Sequence, residues 1–153
     1  MAGDTTVAHC QSGVSTRERR PLHILVVDDY PGVAESMAIL LRLRGYDVSA
    51  AQSGAAALRL AQVKQPDVAL VDISMPGITG LDVVRQLREM FPDQPPFLIA
   101  ITAHAFDEDR RRCLEAGFDL HLTKPADPNV VECVLLGLTG SLTPCETSAH
   151  LKD

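Results

Sequence analysis

The sequence predicts an α/β fold in which a parallel five-stranded sheet is doubly wound by five helices. Three observations predict it. Short continuous apolar runs, the pattern of strands buried on both faces, alternate with stretches of helical periodicity. The alternation repeats five times between residues 21 and 139 of a 153-residue chain. Gly, Pro and capping residues punctuate nearly every junction. Strand–helix–strand repeats of this kind form parallel sheets with right-handed crossovers and helices on both faces.

The predicted strands are residues 23–27, 47–51, 68–71, 97–101 and 120–122. The first helix is predicted over 34–44, with Pro31 suited to a first turn and Gly45 to the position just past the end. Ser53 caps the second, 55–64, and Pro66 bars its continuation. Thr79 precedes the third, 81–90, where Leu81, Val84 and Leu87 fall at helical intervals. Asp107 precedes the fourth, 108–116, stopped by Gly117, and Asp127-Pro128 begin the fifth, 130–138. These local signals agree with one another, which makes the assignment stronger than any one of them. Residues 1–20 and 140–153 are small, polar and unpatterned, so flexible tails are expected on either side of a domain spanning 21–139.

Composition narrows the function. The net charge is −6, there is no Trp, and basic residues form only short clusters such as Arg110 to Arg112. A nucleic-acid surface needs a basic stripe or an aromatic stacking platform, so no nucleic-acid partner is expected. No run approaches the roughly 20 apolar residues of a membrane span, and the N-terminus lacks a signal-peptide core. The four cysteines are scattered, with no CxxC pair, as in a reduced, cytoplasmic protein. Neither G-x-G-x-x-G nor G-x-x-x-x-G-K-[ST] follows a strand, which argues against a nucleotide fold.

The candidate chemistry sits at strand ends. Asp28 and Asp29 follow the first apolar run, Asp72 the third, Thr102 the fourth, and Lys124-Pro125 the fifth. Ligands of doubly wound sheets bind beyond the carboxyl ends of the strands, so these groups should converge on one edge. Hard divalent ions such as Mg2+ prefer carboxylate and water oxygens. A carboxylate beside such an ion and an ammonium can attack a phosphoryl group, because both cations offset the charge on the transferred oxygens. Asp72 is the candidate nucleophile and Lys124 its charge partner.

At these residues the chain resembles the receiver domain of two-component response regulators. The resemblance lies in LVVDDYPGV, VDISMPGITGLDV, IAITAHA and LTKPAD, and extends over residues 21–139. It implies a flavodoxin-like sheet of order 2-1-3-4-5. It also implies a signalling domain rather than an enzyme: Asp72 takes a phosphoryl group from a histidine kinase or a histidine phosphotransfer protein. Mg2+ would be held by Asp29, Asp72 and the Ser74 carbonyl, with Asp28 assisting through water. Thr102 and Lys124 would contact the phosphoryl oxygens. Thr102 would also form a switch with the ring three residues before the lysine, here His121 where well-known members carry Tyr or Phe. Ser74 and His104 stand where family members tune dephosphorylation.

No output segment follows residue 138, so binding to another protein or onward phosphoryl transfer is the expected output. A receiver cut from a longer chain, such as a hybrid histidine kinase, suits the same residues. Two other classes compete. An Mg2+-dependent phosphohydrolase with an aspartyl nucleophile usually has a second acid two residues on and a cap insertion, whereas Ile73-Ser74 follow Asp72 and no cap is present. A scaffold that is never phosphorylated is the other, although every group the chemistry needs is present.

Overall fold

The computed structural model describes residues 21–103 and 107–139. The predicted tails and His104 lie outside these residues. Among the described residues ten elements alternate strictly: β1 (His23–Val27), α1 (Pro31–Leu43), β2 (Asp47–Ala51), α2 (Gly54–Val63), β3 (Val68–Asp72), α3 (Gly80–Met90), β4 (Phe97–Thr102), α4 (Asp107–Ala116), β5 (Leu120–Thr123) and α5 (Pro128–Leu138). All strand pairs are parallel and the order is β2-β1-β3-β4-β5, as expected.

Alternate residues of each strand supply two cores. Leu25, Val27, Ala69, Val71, Leu98 and Ala100 pack against α2, α3 and α4. Ile24, Val26, Val68, Leu70, Ile99 and Ile101 pack against α1 and α5. Burial on both faces explains why these strands read as continuous apolar runs rather than alternating ones. Each fully buried Leu, Ile or Val contributes about 1.5–3 kcal/mol.

The local signals act as their chemistry requires. The hydroxyl of Ser53 accepts from Ala56 N–H at 3.1 Å. Thr79 forms a reciprocal capping box with Asp82. The Asp127 carboxylate accepts from Asn129 N–H at 2.8 Å, and Pro128 occupies the first turn. Gly45 and Gly117 end α1 and α4 at φ of +97° and +118°, where a side chain would be strained.

Three strands extend one residue beyond their apolar runs, to Asp72, Thr102 and Thr123. Pairing of Asp72 with Ile101 and of Thr102 with Thr123 continues the ladder into polar residues. The sheet itself therefore holds Asp72 and Thr102, which are 1% and 3% exposed. Cys113 is buried as expected and its thiol is pushed up by burial, whereas Cys133 is only half-buried.

Candidate functional site

The carboxyl ends of β1, β3 and β5 bring the predicted acids and the lysine together. Asp28, Asp29 and Asp72 each place a carboxylate oxygen within 4.8 Å of the others. Asp28 and Asp72 are buried and Asp29 half-buried. Lys124 Nζ donates to Asp72 Oδ2 at 3.0 Å and stands 3.6 Å from Asp28 Oδ2. One ammonium thus bridges two buried carboxylates.

Backbone donors fix the remaining oxygens. Ser74 N–H donates to Asp72 Oδ1 at 3.1 Å, and Tyr30 N–H donates to Asp28 Oδ1 at 3.0 Å. Asp28 N–H reaches Ala51 O at 3.1 Å, and Lys124 N–H reaches Thr102 O at 2.7 Å, tying the site to β2 and β4. The peptide bond between Lys124 and Pro125 is cis.

The loop after β3 is shaped by two glycines. Gly77 takes φ +76°, which a side chain resists. Gly80 begins α3 hard against the strand: a Cβ there would lie 2.8 Å from Ile73 Cα and within clashing distance of the Asp72 carbonyl. The close approach lets Gly80 N–H donate to Ile73 O at 3.2 Å, so α3 starts directly on the backbone that carries Asp72.

The electrostatics follow from burial and pairing. Burial raises the Asp72 carboxyl above the ordinary range, the Asp28 charge adding to it, and the hydrogen bonds from Lys124 and Ser74 offset this only in part. Burial works against the Lys124 ammonium, but Asp72 and then Asp28 outweigh it and hold the lysine above its usual value. Three acids and one cation leave the cluster electron-rich. The donor set is all oxygen, and its carboxylates are close enough to share one ion, which fits a hard divalent cation such as Mg2+.

The register places Thr102 and His121 on the same face of neighbouring strands, since His121 pairs with Ala100 and Thr123 with Thr102. His121 is half-buried. Ser74 is exposed beside Asp72. Sequence reasoning missed a cavity of about 670 Å3 against the site, bounded by α1 and the loop after β5. It also missed the depth of His23, 2% exposed, whose Nδ1 lies 3.3 Å from Asp47 Oδ2 at the opposite edge of the sheet.

With the fold and this cluster in place, the comparison with known families is decisive. The response regulator receiver domain model matches residues 24–135. The chain belongs to the response regulator receiver domain family. It is 40% identical over 106 residues to the probable transcriptional regulatory protein TcrX of Mycobacterium tuberculosis, covering 69% of this chain and 44% of that relative. Chemotaxis protein CheY4 of Vibrio cholerae superposes with a TM-score of 0.69 at 28% identity, covering 80% of this chain and 99% of that one. A response regulator of Burkholderia pseudomallei, solved with a phosphorylated aspartic acid, a calcium ion and citrate, gives 0.66 at 30% identity over 76% of this chain and 66% of that one. Receiver domains are signalling domains of two-component systems, and this is the class to which the chain is assigned.

The chain spans less than half the length of TcrX. The expectation of no nucleic-acid partner finds no support here, because that relative is named a transcriptional regulatory protein. Net charge and aromatic content describe these 153 residues alone. Among the described residues, no helix is long and apolar enough to cross a membrane.

Proposed function

We propose that this receiver accepts a phosphoryl group from a phosphohistidine onto Asp72, with Mg2+, and passes the change on through Thr102 and His121. One observation carries the reading: Lys124 Nζ lies 3.0 Å from Asp72 Oδ2, within a cluster of three carboxylates at the carboxyl edge of the sheet. An Asp72 oxygen attacks phosphorus as the phosphorus–nitrogen bond breaks. The departing imidazole nitrogen keeps the electron pair and takes up a proton. Lys124 faces the charge spread over the transferred oxygens, and Ser74 N–H keeps the other Asp72 oxygen in place. Asp29, Asp72 and the Ser74 carbonyl would hold the ion, with Asp28 assisting through water. When bound, Mg2+ supplies charge neutralisation to the phosphoryl oxygens.

The buried Thr102 hydroxyl stands at the same strand edge. Its pull toward the new anion would free space for the His121 ring on the shared face. The donor is a histidine kinase or histidine phosphotransfer protein in the cytoplasm, and the receiver of the signal is a partner protein or an attached output segment. The phosphorylated aspartic acid and bound calcium of the Burkholderia pseudomallei relative support this chemistry.

The test is intact-protein mass after incubation with acetyl phosphate and Mg2+. One phosphoryl group per chain is expected, absent in Asp72→Asn and after chelation. Many turnovers of a generic phosphatase substrate would instead favour a phosphohydrolase.

A further inference from the structure

The turn between β2 and α2 carries none of the acids of the candidate site, yet it touches both segments that do. Ala51, at the end of β2, accepts the Asp28 N–H at 3.1 Å, which continues the pairing of β1 with β2 into the acidic pair. Three residues on, Gly54 begins α2 and is buried. A Cβ at Gly54 would lie 2.8 Å from both Cβ and Cγ2 of Ile78, and 2.9 Å from the Ile78 carbonyl oxygen. Carbon atoms not bonded to each other settle about 3.5–4.0 Å apart, so it is the bare glycine that admits the loop after β3 this closely.

That loop joins Asp72 to α3, and its far end is set by Gly80 against the strand. Between its ends, Met75 is buried in the core on the α2 and α3 side of the sheet, and Ile78 packs against the same core. Ser74 itself is exposed, so its backbone is placed by these neighbours, with its N–H on Asp72 Oδ1 at 3.1 Å. Neither side of the contact at Gly54 yields readily. Ile78 is branched at Cβ and stiff about χ1, and its carbonyl belongs to the main chain. On the other side the first turn of α2 is fixed: Ser53 accepts from Ala56 N–H through its hydroxyl and from Ala57 N–H through its carbonyl, and Ala57 is fully buried. The loop, exposed at Ser74, Pro76 and Gly77, is the softer partner, so a methyl group added at Gly54 would displace the loop before the helix. We infer that Gly54 is a positioning residue for the metal centre: its lack of a side chain seats Ile78 on α2 and thereby sets where the Ser74 carbonyl and the Asp72 carboxylate stand. The inference rests on the reading above in which Asp29, Asp72 and the Ser74 carbonyl hold Mg2+. Groups that hold a ligand in place typically change metal affinity by about 10- to 100-fold, and Gly54 acts one contact further out.

The test is calorimetric titration of the whole chain with Mg2+ alone. It compares the native protein with Gly54→Ala, with Ile78→Ala, which withdraws the other half of the contact, and with Ala61→Gly, which loosens the buried far end of the same helix. Circular dichroism checks folding, and Ile78→Ala decides alone if Gly54→Ala does not fold. The Kd for Mg2+ should rise at least three-fold in Gly54→Ala and in Ile78→Ala, and stay within two-fold of the native value in Ala61→Gly, whatever the three do to Tm. A smaller rise in either of the first two overturns the inference. So does a rise beyond two-fold in Ala61→Gly, which would make general loosening of α2 the cause. If the native chain takes up no Mg2+, the reading of the acidic cluster fails and the inference falls with it, so the two failures are distinguished.

Discussion

Asp72 is 1% exposed, lies beside a second carboxylate and is approached by the Lys124 ammonium. Its raised carboxyl pKa means that the folded chain holds that proton more tightly than the unfolded chain does. The resulting stability is fully present below the unfolded value, about pH 4, and is lost as pH rises through the folded value. At pH 7 the ionised Asp72 therefore costs stability. Asp72→Asn, which removes the charge and keeps an acceptor oxygen, should raise Tm by a few degrees at pH 7, with the gain shrinking toward pH 4. A Tm difference that stays constant between pH 4 and 7 would contradict this. Lys124 offers a second test, since its ammonium occupies the charge position that a divalent ion would share. Two unit charges about 4 Å apart interact by about 4 kcal/mol at an effective dielectric constant of 20. The Lys124 side chain is 30% exposed, so solvent screens most of that repulsion, and Lys124→Ala should bind Mg2+ more tightly by on the order of five- to ten-fold, about 1–1.4 kcal/mol, by calorimetric titration at pH 7.5. Weaker binding in that variant would show that the lysine does not oppose the ion.

At the scale of elements, the fold was legible because its signals are local. Ser53, Thr79 and Asp127 accept hydrogen bonds from N–H groups two or three residues on, so their caps can be read from neighbours alone. The strand ends were less legible, because Asp72, Thr102 and Thr123 join the sheet through pairing across the ladder, which no apolar run announces. The glycines of α1 and α3 show the same divide. Gly80 and Gly32 both begin helices, yet only Gly80 is pressed against backbone, that of Asp72 and Ile73. Gly80→Ala should cost about 1–3 kcal/mol and slow phosphorylation, because relief of the clash must move the strand end that carries Asp72. Gly32→Ala should stabilise by about 0.5 kcal/mol, since the methyl group enters open space and restricts the unfolded chain. Thermal unfolding of the two variants checks both; equal effects would show that the contact at Gly80 is slack.

For the whole molecule, the site is a product of strand order. The acids of β1 and β3 meet because those strands are neighbours, and Lys124 reaches them across β4 from the far edge of the sheet. Residues 96 positions apart, Asp28 and Lys124, thus come within 3.6 Å. The sequence carried the identity and order of these groups, and parallel topology implied their common edge. It carried no sign of the cavity between α1 and the loop after β5, whose size depends on how far apart two distant segments settle. Nor did it announce the pairing of His23 with Asp47, which arises from the register of β1 on β2.

In the proposed role one particular carboxylate of three carries the phosphoryl group. Borohydride reduction converts an aspartyl phosphate to homoserine, so the most direct measurement is peptide mass spectrometry of the protein labelled with acetyl phosphate and Mg2+, then reduced. Homoserine is expected at position 72 alone, absent when Mg2+ is chelated. Homoserine at position 28 or 29, or a phosphoryl group that survives reduction on another side chain, would contradict it.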